Sequence, residues 1–383
     1  MKINKPRSRG MRLGVVVAVC APLVLAACSS DADSNGGDAG KPFVAERATN
    51  VAGDLLPEDR VLWTYDAATG KYVEVKGDAS TYTPTLEKPT DPTTIAYMDP
   101  WGSNPFAIPI REGVQQLTKK LGIKLIYCDT EFKPERAVSC AETLASQSPD
   151  FAIAGNWQTG ASAATVKVFD EAKIPTNSID VVQPNSIFFG ADNYTSGAIA
   201  GRAAGEYAKQ TWDCKDVWIL LGENKEEGEA ADQRLAGFAD GVQEICGTVP
   251  SDRIARQRMS AGTADQAITA TTDWMTAHPQ ATNLLGTSLD DERSSGIAKA
   301  MVQNNSNGVV ASTGCDTVGI EVLKQAPASE NHYLGCAAFF PEKYADYLVA
   351  LALDVLAGKP VPNEVHLEHR LLTHDTIGEV YPE

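Results

Sequence analysis

The chain has 383 residues, with 33 Lys+Arg against 50 Asp+Glu and a formal net charge of −17. Hydrophobic residues make up 43% and charged ones 22%, a globular balance that excludes disordered and fibrous classes and suggests about two folded units. The acidic surface repels phosphate backbones, so nucleic acid is not expected as a partner.

The chain opens with Lys2, Lys5, Arg7, Arg9 and Arg12 and no acid, followed by an apolar run over residues 13–27. That run has the length of a secretory h-region and is short for a bilayer span. It closes on Leu25-Ala26-Ala27-Cys28, which resembles the bacterial lipobox, where a peptidase cuts before a cysteine that becomes lipid-modified. Residues 1–27 are therefore expected to be a lipoprotein signal peptide, with Met11 as a second candidate start. Ordinary cleavage after Ala27 is the alternative. Lipidated Cys28 would anchor the chain through two or three acyl chains at the extracytoplasmic face of a bacterial cell membrane. Loss of the five cations takes the charge from −17 to −22.

Residues 29–41, rich in Ser, Asp, Gly and Ala, read as a flexible tether. Val61-Leu62-Trp63-Thr64-Tyr65 and Tyr72-Val73-Glu74-Val75 flank a turn-rich stretch and predict a hairpin, so residues 28–92 are expected to be tether plus a small N-terminal addition. From residue 93 the pattern alternates. Short apolar runs at 95–97, 124–127, 151–154, 186–189, 217–221, 283–286, 308–311 and 333–338 predict strands. Amphipathic stretches at 109–121, 161–172, 198–209, 230–245 and 344–356 predict helices between them. Such alternation implies right-handed βαβ units with parallel sheets, and the strand count argues for two lobes.

The eight cysteines then divide. Cys20 leaves with the signal and Cys28 is the anchor, so Cys128, Cys140, Cys214, Cys246, Cys315 and Cys336 remain. Six cysteines in an oxidising compartment suggest three disulfides, for which 15 pairings exist. Sequence neighbourhood selects Cys128–Cys140, Cys214–Cys246 and Cys315–Cys336. A metal site is not expected, because no C-x-x-C occurs and the spacings are wide.

Several ordered motifs carry a resemblance. Thr94-Ile95-Ala96 is followed by Asn104-Pro105-Phe106; Ala172-Lys173-Ile174-Pro175 leads to Asp180; Gly190-Ala191-Asp192-Asn193 precedes Gly197 and Gly201-Arg202-Ala203-Ala204. Further on stand Gln233-Arg234-Leu235-Ala236-Gly237-Phe238, Thr276-Ala277-His278-Pro279, Asp290-Asp291 with Gly296, and Gly314-Cys315-Asp316. In this order they resemble the ribose- and galactose-type periplasmic solute-binding proteins that serve ABC sugar importers, over residues 93–382. The resemblance implies an α/β fold of two Rossmann-like lobes with parallel sheets joined by three crossovers. Lobe one would be residues 93–192 and 339–364, lobe two 193–338 and 365–383. It also implies a sugar or polyol ligand between the lobes, an ABC permease as partner, a monomer, no cofactor and no enzymatic activity.

A neutral sugar offers many hydroxyls and weakly apolar C–H faces, so its site needs carboxylates, amides and aromatic rings. Asp180, Asp290 and Asp316 follow strands and would accept from hydroxyls, although aspartates there are often helix caps. Arg234 would donate from a fixed fork, and Asn104 both donates and accepts. Trp101, Phe106 and Trp157 are candidate stacking surfaces. Against the ribose pattern, Val181 stands in place of an arginine, Ala107 and Gly262 in place of aromatics, and Phe339 in place of a glutamine. These departures argue against ribose itself, while Phe339 joins the candidate ligand set.

Two other readings are weaker. A surface hydrolase lacks support, because none of the five histidines lies in a Gly-x-Ser-x-Gly or His-Glu-x-x-His context, and His366 with His369 would split between two strand faces. Glu226 and Glu227 read as part of a solvated loop. A sensor that presents bound sugar to a membrane receptor would need the same two-lobed core.

Overall fold

A computed structural model describes residues 60–382. The expected signal peptide, Cys28 and the tether at 29–41 lie outside the described residues. The hairpin comes first, β1 (Leu62–Asp66) and β2 (Lys71–Val75) pairing antiparallel. The first lobe follows as β3 (Thr94–Asp99), α1 (Ala107–Leu121), β4 (Lys124–Asp129), α2 (Pro134–Ala145), β5 (Phe151–Ala154), α3 (Thr159–Glu171), β6 (Thr176–Ile179) and β7 (Ile187–Gly190). The chain then crosses to α4 (Asn193–Trp212), β8 (Val217–Glu223), α5 (Gly228–Cys246), β9 (Ile254–Arg258), α6 (Ala264–Ala277) and β10 (Asn283–Thr287). The second lobe continues with α7 (Asp291–Gln303), β11 (Val309–Gly314), α8 (Thr317–Gln325), α9 (Ala328–Asn331) and β12 (Tyr333–Ala338). A second crossing returns to α10 (Tyr344–Leu356), β13 (Val361–Pro362) and β14 (Glu364–His366), and a third reaches β15 (Arg370–Thr373) and α11 (Ile377–Val380).

Each lobe is built on a six-stranded sheet. The first has the order β14-β7-β6-β5-β3-β4, parallel throughout; the second runs β15-β12-β11-β10-β8-β9, with β15 alone antiparallel. Both faces of each sheet are covered, and the strand residues divide between them with period two. On β3, Ile95 and Tyr97 join the core under α1 and α10, whereas Ala96 and Met98 pack on the α2–α3 side with Cys140, Leu144 and Phe169. On β8, Trp218 and Leu220 face one core, and Val217, Ile219 and Leu221 face the other.

Helix ends follow local chemistry. Gly122 takes φ +72 after α1, and its N–H donates to the carbonyl of Lys119, a left-handed cap that glycine reaches without a Cβ clash. Asp192 caps α4 and Asp316 caps α8 through side-chain oxygens.

Some elements were invisible to the apolar pattern. β6 (Thr-Asn-Ser-Ile) is buried but mostly polar, its Asn177 amide donating to the carbonyl of Leu348. β9 is a half-exposed edge strand with three charged or polar residues. Thr276-Ala277-His278-Pro279 falls at the end of α6, with His278 at the C-cap. The first lobe's sheet also extends to His366, two residues beyond the expected boundary at 364, because β14 pairs with β7.

The hairpin is sewn to the first lobe. β13 pairs with β1, and the Asn363 side chain accepts from the Val61 N–H at 2.8 Å. Tyr72 donates to the carbonyl of Thr176, and the Tyr82 hydroxyl donates to Asp354 at 2.7 Å. Three disulfides, Cys128–Cys140, Cys214–Cys246 and Cys315–Cys336, join neighbouring elements with Cα separations of 5.6, 5.3 and 5.2 Å.

Candidate functional site: a cleft between the lobes

The carboxyl ends of both sheets face one another, which is where open α/β sheets place ligands. The cleft between them encloses about 610 Å³ of empty space, counting the part open to solvent. All nine residues expected from the sequence line it: Trp101, Asn104, Phe106, Trp157 and Asp180 from the first lobe, Arg234, Asp290 and Asp316 from the second, and Phe339 at the second crossing.

The first-lobe wall is aromatic. Trp101, just after β3, stacks on Phe132 at 4.8 Å between centroids with a 16° interplanar angle. Phe106 meets Phe339 and Tyr344 edge-on, at 5.9 and 5.5 Å. Trp157 follows β5, and its buried Nε1 has no hydrogen-bond partner among the described residues. Asn104 spends its side-chain oxygen on the N–H groups of Phe106 and Ala107, at 2.9 and 3.3 Å, which starts α1 and leaves its amide nitrogen as a donor. Asp180 sits at φ +57 after β6. One of its oxygens accepts from the Ala191 N–H at 3.1 Å and from the Tyr344 hydroxyl at 2.8 Å; the other is buried without a partner among the described residues.

The second-lobe wall is charged. Arg234 is placed by an unusually close packing of α4 on α5. A Cβ at Gly197 would fall 2.0 Å from the carbonyl oxygen of Arg234, and one at Gly201 would fall 2.1 Å from that of Phe238. Only glycine permits that approach, and it brings the guanidinium to the hinge. There Nε donates to Asn193 Oδ1 at 2.7 Å, Nη1 donates to the Leu289 carbonyl at 2.8 Å, and the group lies 4.9 Å from the Phe339 ring centroid. Asp290 caps α7 through Oδ1, and its Oδ2 lies 3.1 Å from Arg293. Asp316 likewise uses Oδ1 to cap α8. Both aspartates therefore cap a helix and line the cleft.

Several cleft residues carried no clear sequence signal. Glu227, expected in a solvated loop, instead reaches into the cleft and bonds the fully buried Arg293 at 2.8 Å. Arg293, 1% exposed, needs carboxylates on both sides, and Glu227 and Asp290 supply them. Asp291 is wholly buried, accepting from the Asp316 N–H at 2.8 Å and from the Tyr333 hydroxyl. Phe132 lies in the α2 approach, where nothing in the local pattern pointed to a ligand wall. The aromatic ring missing at Gly262 is replaced from across the cleft, since Trp101 stands 2.9 Å from where its Cβ would be.

Burial dominates the electrostatics. It raises the Asp180 carboxyl above its ordinary value, opposed chiefly by the Arg234 charge. Asp290 is raised by burial against the pull of Arg293. Asp291 is pushed up to about 6 by burial, despite the Tyr333 hydroxyl. Asp316 is raised by burial and by the neighbouring Asp291 charge.

The three crossings converge on one histidine. His369, in the third, has Nε2 at 2.9 Å from the Asp192 N–H of the first and Nδ1 at 3.1 Å from the Ala338 carbonyl of the second. Its ring also packs on Phe339 at 4.9 Å. His369 thus lies between strands, so the expected split of His366 and His369 over two faces of one strand does not occur.

Residues 95–360 match the family model of the periplasmic binding protein domain. The chain belongs to that family. Among its relatives is the ribose import binding protein RbsB of Salmonella typhimurium, 28% identical over 123 residues, which cover 30% of this chain and 42% of that protein. The match thus spans less than half the length of that relative. Solved structures share the fold of this periplasmic binding protein. An ABC transporter solute binding protein from Mycobacterium smegmatis with bound glycerol has a TM-score of 0.66 at 18% identity, covering 76% of this chain and 97% of that one. The glucose-galactose binding protein GanP of Geobacillus stearothermophilus has 0.61 at 22%, covering 75% and 99%. A protein from Agrobacterium radiobacter in complex with D-arabinose has 0.63 at 19%, covering 77% and 98%.

Proposed function

We propose that this chain is an extracytoplasmic, lipid-anchored solute-binding protein that captures a sugar or polyol between its lobes and delivers it to an ABC importer. The observation that carries the reading is the meeting of two unlike walls: stacked aromatic rings on one side, carboxylates and the Arg234 guanidinium on the other. Rings cover C–H faces while charged groups bond hydroxyls, and each such charged hydrogen bond contributes about 1.5–3 kcal/mol when water is excluded. The buried Asp180 oxygen and the Trp157 indole N–H supply an unspent acceptor and donor for a hydroxyl. The named relatives and fold neighbours bind sugars or glycerol, which agrees with that chemistry. Departures from the ribose pattern at Val181, Gly262 and Phe339 direct the search beyond ribose. Capture and release fit hinge closure between two lobes. Attachment rests on the Leu25-Ala26-Ala27-Cys28 segment.

Calorimetry against pentoses, hexoses and polyols tests the reading; silence across that panel would remove it. Arg234→Ala is expected to weaken the best ligand at least tenfold. Cys28→Ser should release the protein from the membrane fraction, and retention of that variant would remove the lipid anchor.

A further inference from the structure

The lobes touch at two places where the second lobe offers a glycine to a first-lobe side chain. Gly228, the first residue of α5, has φ +64 and ψ −140; a Cβ there would lie 2.6 Å from Thr159 Cγ2 and 2.9 Å from Thr159 Oγ1. Gly262, between β9 and α6, has φ +69; its Cβ would lie 2.9 Å from Trp101 Cη2 and 3.3 Å from Arg293 Nη2. Neither first-lobe partner can easily give way. Thr159 opens α3, so the helix fixes its Cβ, and its hydroxyl is 3.4 Å from the Glu226 carbonyl across the cleft. Trp101 is backed by the stacked ring of Phe132, and Arg293 behind Gly262 is buried between two carboxylates.

We infer that Gly228 and Gly262 are closure seats, two bare backbone positions on the second lobe into which Thr159 and Trp101 settle, and that affinity for ligand depends on them although they need not touch it. The inference rests on the reading of the cleft as a ligand trap. It assigns two affinity-determining residues at the rim, outside the hydrogen-bonding set. A side chain at either seat blocks the last step of closure and leaves the ligand in a wetter, more open cleft.

Two costs of adding a Cβ separate cleanly. Strain from positive φ is present whether the lobes are open or closed, so it lowers thermal stability and leaves affinity alone. The clash with the other lobe exists only on closure, so it lowers affinity. The test uses calorimetry with the tightest wild-type binder among D-ribose, D-arabinose, D-galactose, D-allose and glycerol. Gly228→Ala and Gly262→Ala should each weaken it at least tenfold while unfolding cooperatively. Thr159→Ala removes the two nearest atoms and leaves only Cβ, 3.2 Å from the added methyl. In that background Gly228→Ala should cost less than threefold. Thr159→Ile adds bulk from the first-lobe side, at a helical residue without positive φ, and should reproduce the loss at the Gly228 seat should Gly228→Ala fail to fold. Wild-type affinity in Thr159→Ile or in the glycine variants would overturn the inference, as would failure of Thr159→Ala to restore binding. A wild type that binds none of the five would instead remove the sugar reading, and the inference with it.

Discussion

His369 Nε2 accepts the backbone N–H of Asp192 at 2.9 Å, joining residues 177 apart in sequence. With Nδ1–H donating to Ala338, the ring must be neutral to hold both bonds. Burial, opposed by the bond to Ala338, lowers its pKa to about 4. The folded value lies below the unfolded one, so this contribution is complete above the unfolded pKa of about 6.5 and is lost as pH falls through about 4. Its size is on the order of 3 kcal/mol. Asp291, raised to about 6, acts with the opposite sign over part of that window. The difference between wild type and His369→Gln therefore isolates the histidine. Urea unfolding should show their stability gap narrowing from pH 7 to pH 4, and a gap independent of pH would remove the neutral clip.

Asp180 supplies the next expectation. Its φ of +57 is tolerated by Asn, so Asp180→Asn keeps the turn. The amide oxygen can still accept from Ala191 and Tyr344, but an N–H2 replaces the unpartnered oxygen. Calorimetry should show affinity falling by roughly 10- to 100-fold, the worth of one charged hydrogen bond. Thermal stability should hold or rise, since burial already disfavours this charge. Unchanged affinity would place the ligand away from Asp180.

Arg293 is buried behind the cleft wall, 1% exposed, and its removal strands Glu227 and Asp290. Arg293→Met should destabilise the protein by about 3–5 kcal/mol, as expected when one member of a buried ion pair is deleted. Glu227→Gln keeps an acceptor for the guanidinium and should cost clearly less. Chemical denaturation of the two variants checks the ranking; equal losses would mean that the pairing does not hold Arg293.

The disulfides give a chemical test. Alkylation of denatured protein without reductant should leave Cys128, Cys140, Cys214, Cys246, Cys315 and Cys336 unmodified. Cys214→Ser with Cys246→Ser opens a bridge of sequence separation 32 and should cost about 3–4 kcal/mol by the loop-entropy relation. Mass-spectrometric detection of an alkylated cysteine among the six would reject the pairing.

Much of the architecture was legible locally. Apolar runs located β3, β5, β8, β10 and β11 because a strand buried on both faces reads as a near-continuous apolar run wherever hydrogen bonds do not satisfy polar residues instead. Motif order brought nine cleft residues into view because strand ends are where such sheets present side chains. β6 and β9 escaped because their burial is satisfied by hydrogen bonds or occurs at an edge, which leaves no hydrophobic period to read. Glu227 escaped because its meaning depends on an arginine 66 residues away.

By itself, the sequence determined the alternation of strand and helix, the acidic balance and nine of the residues that line the cleft. These follow from side-chain chemistry and short-range periodicity. Tertiary structure alone decided that β14 and β15, four residues apart, belong to different lobes, that one histidine joins all three crossings, and that Trp101 fills the space left by Gly262. Each of these is a contact between segments distant in the chain. Its energy depends on which surfaces meet, and no local window of sequence records that.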